Sequence, residues 1–138
     1  MDAALIRSVR VRAAEACEYC QMPQSAHVRT FAVDHIIARQ HGGDSTLENL
    51  ALSCFRCNSH KGPNLAGIDP ETGELTRLFH PRNDEWNDHF AWNGSYLTGR
   101  TEIGRTTIDV LTINHPDYVT LRESLIAEDA FPRSSGTS

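Results

Sequence analysis

The chain has 138 residues, 39% of them hydrophobic and 22% charged, with a formal net charge of -5. That length bounds it to one domain with an ordinary packed core. No apolar run approaches the ~20 residues a membrane span needs. The N-terminal MDAALIRSVRVRAAEAC has no apolar signal region, so no export and a cytoplasmic location are expected. The acidic balance counts against a general nucleic-acid-binding surface, but it is uneven. Residues 1–64 hold seven Lys/Arg and six acidic residues, whereas residues 65–138 hold six and twelve.

Residues 3–16, AALIRSVRVRAAEA, are predicted to be helical, being rich in Ala, Leu and Arg and free of Gly and Pro. Asp2 is placed to cap that helix. Arg7, Arg10 and Arg12 read as a solvated face, with phosphate contact as the other reading. Cys17-Glu-Tyr-Cys20 closes the helix as a knuckle, and MPQSA (22–26) is a turn. Residues 28–37, VRTFAVDHII, alternate as a strand. Adjacent Asp34 and His35 then face opposite sides, so a site using both requires the strand to twist or end near them. RQHGGDS (39–45) is a loop turning at Gly42-Gly43. Residues 47–53 return as a second strand with Asn49 at its entry. Residues 54–62 are a second knuckle running into a helix that stops at Gly62-Pro63.

The C-terminal half is less explicit. IDPETGE (68–74) is a turn, 75–79 a short strand and 81–86 a helical turn. Residues 89–92 and 95–98 form a hairpin about Asn93-Gly94. Residues 101–113 are predicted to be a helix stopped by His115-Pro116. A last amphipathic helix spans 116–128, with Tyr118, Leu121, Leu125 and Ile126 inward. His80, His89 and His115 read as core or surface residues, and Trp86 and Trp92 as core. The last five residues, SSGTS, are expected to fray.

Four cysteines form two Cys-x-x-Cys pairs, Cys17/Cys20 and Cys54/Cys57, separated by 33 residues. One such pair alone could be redox-active. Two pairs in a chain without an export signal favour tetrahedral zinc held by four thiolates over disulfides. The gap is too long for a compact zinc ribbon, so something folded lies between the halves. A tetrathiolate zinc would add -2 to the less acidic half, so net charge does not settle the partner.

The run CEYC, DHIIARQHGGDSTLENLALSC, CNSHKG resembles the HNH endonuclease family with the ββα-metal fold, over roughly residues 15–63. The segment FHPRNDEWNDHFAW…GRTEIGRTTIDVLTIN resembles an extension found in a bacterial branch of that family. The resemblance implies His35 as general base, Asp34 and Asn58 as ligands of a catalytic Mg2+ or Mn2+ ion, and Asn49 as the residue that orients His35. The chemistry agrees: a neutral imidazole takes a proton near neutral pH. A carboxylate and an amide carbonyl are hard oxygen donors. His60 is an alternative ligand. Two apart on a helix, it and Asn58 face different ways, and Asn58 is preferred. Arg39, His41 and Lys61 are candidates for phosphate contact. Many members have His where this chain has Asn58. The family often has Pro four residues after the Asp, where this chain has Ala38.

The expected fold is therefore α+β: a ββα-metal, treble-clef-like core about 15–63, clamped by a structural zinc at Cys17, Cys20, Cys54 and Cys57. A mixed extension, about 64–130, packs on it within a single domain, 1–138. The expected function is metal-dependent endonuclease cleavage of DNA phosphodiester bonds, with nucleic acid as partner and no membrane. A homodimer is an open expectation, since cutting two strands together needs two sites. The alternative is a non-catalytic zinc-stabilised module that binds nucleic acid or protein.

Overall fold

In the computed structural model, which describes residues 1–132, Asp2 caps the first helix, α1 (Ala3–Arg12). Its Oδ1 accepts the Leu5 N–H at 2.9 Å. The SSGTS tail lies outside the described residues. Helix α1 ends at Arg12, short of the expected 16. Ala14 and Glu15 take φ of 55° and 57°, left-handed values that no helix continues through. Tertiary demand overrides propensity here. The reversal lets Ala16 bridge to Pro23 and the Cys17 N–H donate to the Met22 carbonyl at 2.9 Å. Arg12 fastens the helix end to the next layer, donating to the carbonyls of Leu47 and Leu50 at 2.8 and 2.5 Å.

Strands β1 (Ala32–His35) and β2 (Leu50–Ser53) pair antiparallel, His35 opposite Leu50 and Ala32 opposite Ser53. Both are shorter than expected. Val28, Arg29 and Thr30 are exposed and unpaired. Residues Leu47–Asn49 form a 3-10 turn instead of strand. Every residue of β2 is buried; α1 packs against β2, and α2 (Phe55–Lys61) packs against β1. The order β1, β2, α2 is the ββα unit. Its core includes Val9, Tyr19, Leu50, Leu52 and the four cysteines.

The extension starts with a hairpin that the pattern did not reveal in full. Strand β3 (Ala66–Ile68) pairs with β4 (Leu75–Arg77) about the turn expected at 68–74, of which Ile68 belongs to β3 instead. Helix α3 (Trp86–His89) leads into β5 (Phe90–Asn93) and β6 (Tyr96–Gly99). Asn93 pairs with Tyr96, leaving a two-residue turn in which Gly94 has φ 62°, the region glycine enters without a Cβ penalty. Helix α4 (Glu102–Leu111) is capped by Thr101, whose Oγ1 accepts the Gly104 N–H at 3.1 Å. Helix α5 (Pro116–Ala127) buries Tyr118, Val119 and Arg122. Tyr118 faces inward as expected. Leu121, Leu125 and Ile126 are only half-buried, because a guanidinium takes the deepest place.

Both tryptophans tie the extension to the N-terminal knuckle. Trp86 Nε1 donates to the Tyr19 carbonyl at 2.9 Å and Trp92 Nε1 to Gln21 Oε1 at 3.1 Å. Phe79 meets the Tyr19 ring edge-on at 6.4 Å. The molecule is thus a mixed α+β assembly of helices and small two-stranded antiparallel sheets. Among the described residues no helix is long and apolar enough to cross a membrane.

Candidate active site

Two sites draw on the ββα unit. The first is the cysteine cluster. The four sulfurs of Cys17, Cys20, Cys54 and Cys57 lie within 4.8 Å of one another, all buried, with Cys20 and Cys54 Sγ 3.7 Å apart. A zinc tetrahedron with Zn–S bonds of about 2.3 Å has S···S edges of about 3.8 Å. The thiols cannot ionise together unaided. Hydrogen bonds from Cys17 first, then Cys20 and Cys57, push Cys54 far below an ordinary thiol. Cys20 and Cys57 are pushed well above it, in each case chiefly by hydrogen bonding to Cys17. A divalent cation removes that conflict.

A second observation points the same way. Arg122 is fully buried, yet among the described residues it forms no ion pair with a carboxylate. It donates to the Ser95 carbonyl at 2.7 Å, and to the Ile113 carbonyl and Asn114 Oδ1 at 3.1 Å each. Its Nη1 has no partner. One turn earlier on α5, Tyr118 Oη donates to Cys54 Sγ at 3.6 Å. A buried cation needs a negative charge nearby. Burial lowers the Arg122 pKa, while Cys20, Cys57 and Cys54 oppose that shift. A tetrathiolate zinc of charge -2 fits both the donor set and this guanidinium.

The second site is an open cavity of about 260 Å³ at the junction of β1 and α2. Asp34, His35, Arg39 and Asn58 line it. Asp34 and His35 alternate along β1, but the strand stops at His35, so both border the same space. Asp34 is 6% exposed. Tyr19 Oη donates to its Oδ2 at 2.8 Å, and Lys61 Nζ lies 3.2 Å from Oδ2 and 3.4 Å from Oδ1. Burial raises the Asp34 pKa, and Lys61 and then Tyr19 work against that rise. His35 is half-buried, and its Nε2 is 2.8 Å from Ser45 Oγ.

Asn49 does not touch the His35 ring. Its Oδ1 accepts the Ile37 N–H at 2.9 Å, and its Nδ2 donates to the carbonyls of Ile37 and Asp44 at 3.0 and 2.9 Å. It clamps the loop between the strands. Gly43 makes that clamp feasible: a Cβ there would overlap the Ile37 carbonyl and lie 2.8 Å from Asn49 Nδ2. Ala38, standing where the family often has proline, has φ -59°, a value proline itself adopts. The loop therefore keeps a proline-like path without the ring.

The remaining candidates are dispersed. Arg39 and His41 sit on an exposed 3-10 turn, with Arg39 at the cavity. Lys61, considered for surface phosphate contact, is 2% exposed and spends its ammonium on Asp34 and, at 3.2 Å, on the His35 carbonyl. His60 is exposed and lies 3.4 Å from Arg56 Nη1, away from the cavity. The sequence reading missed Tyr19, Ser45 and Arg122. Tyr19 was legible only as filler between two cysteines, and Ser45 only as turn chemistry.

Residues 17–64 match the HNH endonuclease family model. This stretch, which holds both cysteine pairs and the cavity residues, is thus similar to HNH endonuclease domains, a family whose general activity is nuclease-type. Beyond it, the chain is similar to the Septu protein PtuB of Bacillus thuringiensis, 27% identical over 112 residues that cover 80% of this chain and 41% of that protein. The chain thus spans about two-fifths of the length of this curated relative. No solved structure matches it significantly.

Proposed function

We propose that the protein is a metal-dependent endonuclease that hydrolyses DNA phosphodiester bonds in the cavity between β1 and α2. The observation that carries this reading is that Asp34, His35, Arg39 and Asn58, from strand, loop and helix, line one open cavity. His35 is the general base, taking the proton of the attacking water. Asp34 and Asn58 would hold a Mg2+ or Mn2+ ion, which supplies Lewis-acid polarisation of the phosphate and offsets charge on the leaving oxygen. Asp34 retains unused lone pairs beside its bonds to Tyr19 and Lys61. Lys61 favours the ionised carboxylate that ligation requires. Arg39, exposed at the rim, is suited to a phosphate oxygen. Zinc at the four cysteines holds hairpin and helix together and takes no part in the chemistry.

One observation favours the alternative, a non-catalytic zinc-stabilised binding module. Asp34 is nearly buried and already paired, as a purely structural carboxylate would be. Incubating zinc-loaded protein with supercoiled plasmid, with and without added Mg2+ or Mn2+, separates the two. The nuclease nicks only when the ion is present. Retention of plasmid without any ion-dependent nicking supports the binding module.

A further inference from the structure

We infer that Ser45 is a positioning residue for His35, fixing the ring and the tautomer in which it serves as base. The inference rests on the catalytic role proposed above for His35 and adds a residue that no part of that role requires in advance. Ser45 Oγ is 2.8 Å from His35 Nε2, and Arg39 Nη1 donates to the same oxygen at 3.2 Å.

The hydrogen inventory leaves Ser45 Oγ able to accept from Nε2 or to donate to it, and the proposed base role chooses between the two. A guanidinium can only donate, and a hydroxyl oxygen has two acceptor sites. Arg39 takes one of those sites. The other ring nitrogen, Nδ1, has no hydrogen-bond partner among the described residues, and it is not among the buried atoms left unpartnered. It is therefore open to solvent on a ring that lines the cavity. A base must present its lone pair there, so the ring proton must sit on Nε2. Nε2 then donates to Ser45 Oγ, whose two acceptor sites are filled by Arg39 and His35.

The bond strengthens once Nδ1 has taken a proton, because hydrogen bonds from a charged donor exceed those from a neutral one. Ser45 thus favours the imidazolium that forms as water attacks. It should act on turnover and not on substrate binding. The loop that presents Ser45 is held separately by Asn49 and Gly43, so removing the hydroxyl leaves the fold standing.

The test is nitrogen-15 NMR of the zinc-loaded full chain labelled at histidine, combined with plasmid-nicking kinetics for Ser45→Ala and Ser45→Thr. The wild-type His35 signals should report Nε2 protonated and Nδ1 bare, and Ser45→Ala should shift the Nε2 resonance. Ser45→Ala should lower kcat roughly tenfold, the scale of one hydrogen bond gaining charge assistance, with KM and Mg2+ dependence unchanged. Ser45→Thr should restore most of kcat. A proton on Nδ1, or a Ser45→Ala kcat within about twofold of wild type, overturns the inference. If wild type does not nick at all, the nuclease reading fails, and the NMR result still decides whether Ser45 sets the tautomer.

Discussion

Asn49 offers the sharpest perturbation, because its expected and observed roles differ. It was expected to orient His35, but its side chain makes three hydrogen bonds to the backbone of Ile37 and Asp44 and none to the imidazole. At about 1 kcal/mol for each bond, Asn49→Ala should cost about 3 kcal/mol, which lowers Tm by about 10 °C in a domain of this size. Gly43→Ala attacks the same clamp from the other side, since its Cβ would meet the Ile37 carbonyl and Asn49 Nδ2. It should cost a similar amount. The double variant should lose scarcely more than either single one, because both open one loop. Thermal unfolding of the four zinc-loaded proteins, with plasmid nicking in parallel, measures this. Activity should fall in step with loss of the loop. The reasoning is refuted if Asn49→Ala abolishes nicking while Tm stays within about 2 °C of wild type, for Asn49 would then be acting on His35 directly.

Three further outcomes follow from the polar contacts. Lys61→Met strands a buried carboxylate, so urea unfolding should show a loss of about 3 kcal/mol or more. Adding Asp34→Asn should recover most of that loss, and a single-variant loss below about 1 kcal/mol would contradict the pairing. Asp69 is fully buried and Arg105 donates to its two oxygens at 3.1 and 2.8 Å, which holds its pKa far below the ordinary 3.8. Because the folded pKa lies below the unfolded one, this stabilisation is present above about pH 4 and is lost as pH falls through the depressed value. Asp69→Asn should therefore flatten the acid limb of stability against pH, and an unchanged limb would count against the pair. Stripping zinc with a chelator should shift tryptophan emission to the red, because Trp86 donates to Tyr19 within the Cys17–Cys20 knuckle and Trp92 to Gln21 beside it. Unshifted emission in metal-free protein would mean that the knuckle holds its shape without the ion.

Much of the N-terminal half is legible from residue order alone. Two cysteine pairs, a strand carrying Asp34-His35 and a helix stopped at Gly62-Pro63 are local patterns, and each appears where its chemistry is needed. The legible parts of the extension are likewise local: the Asn93-Gly94 hairpin and the helix capped by Thr101. What escaped was set by tertiary contact. Residues 13–16 have helical propensity, yet the turn that delivers Cys17 takes them out of α1. Val28 and Thr30 suit a strand by type but have no neighbour to pair with. The β3 strand, Ala66-Gly67-Ile68, is too short for any periodicity. Lys61 and Arg122 are residue types that usually face water, and only their buried partners, Asp34 for one and the Ser95 and Ile113 carbonyls, Asn114 and the Trp92 ring for the other, account for their burial. Ser45 is an ordinary turn residue until the fold brings its hydroxyl to His35.

Plasmid nicking by His35→Ala at saturating Mg2+, with zinc content and Tm measured on the same preparation, bears most directly on the proposed hydrolysis. Loss of a general base should lower the rate by about a hundredfold or more, with zinc retained and Tm little changed. A His35→Ala protein that nicks within about twofold of wild type would show that this imidazole is not the base, and the cavity between β1 and α2 would then need another function.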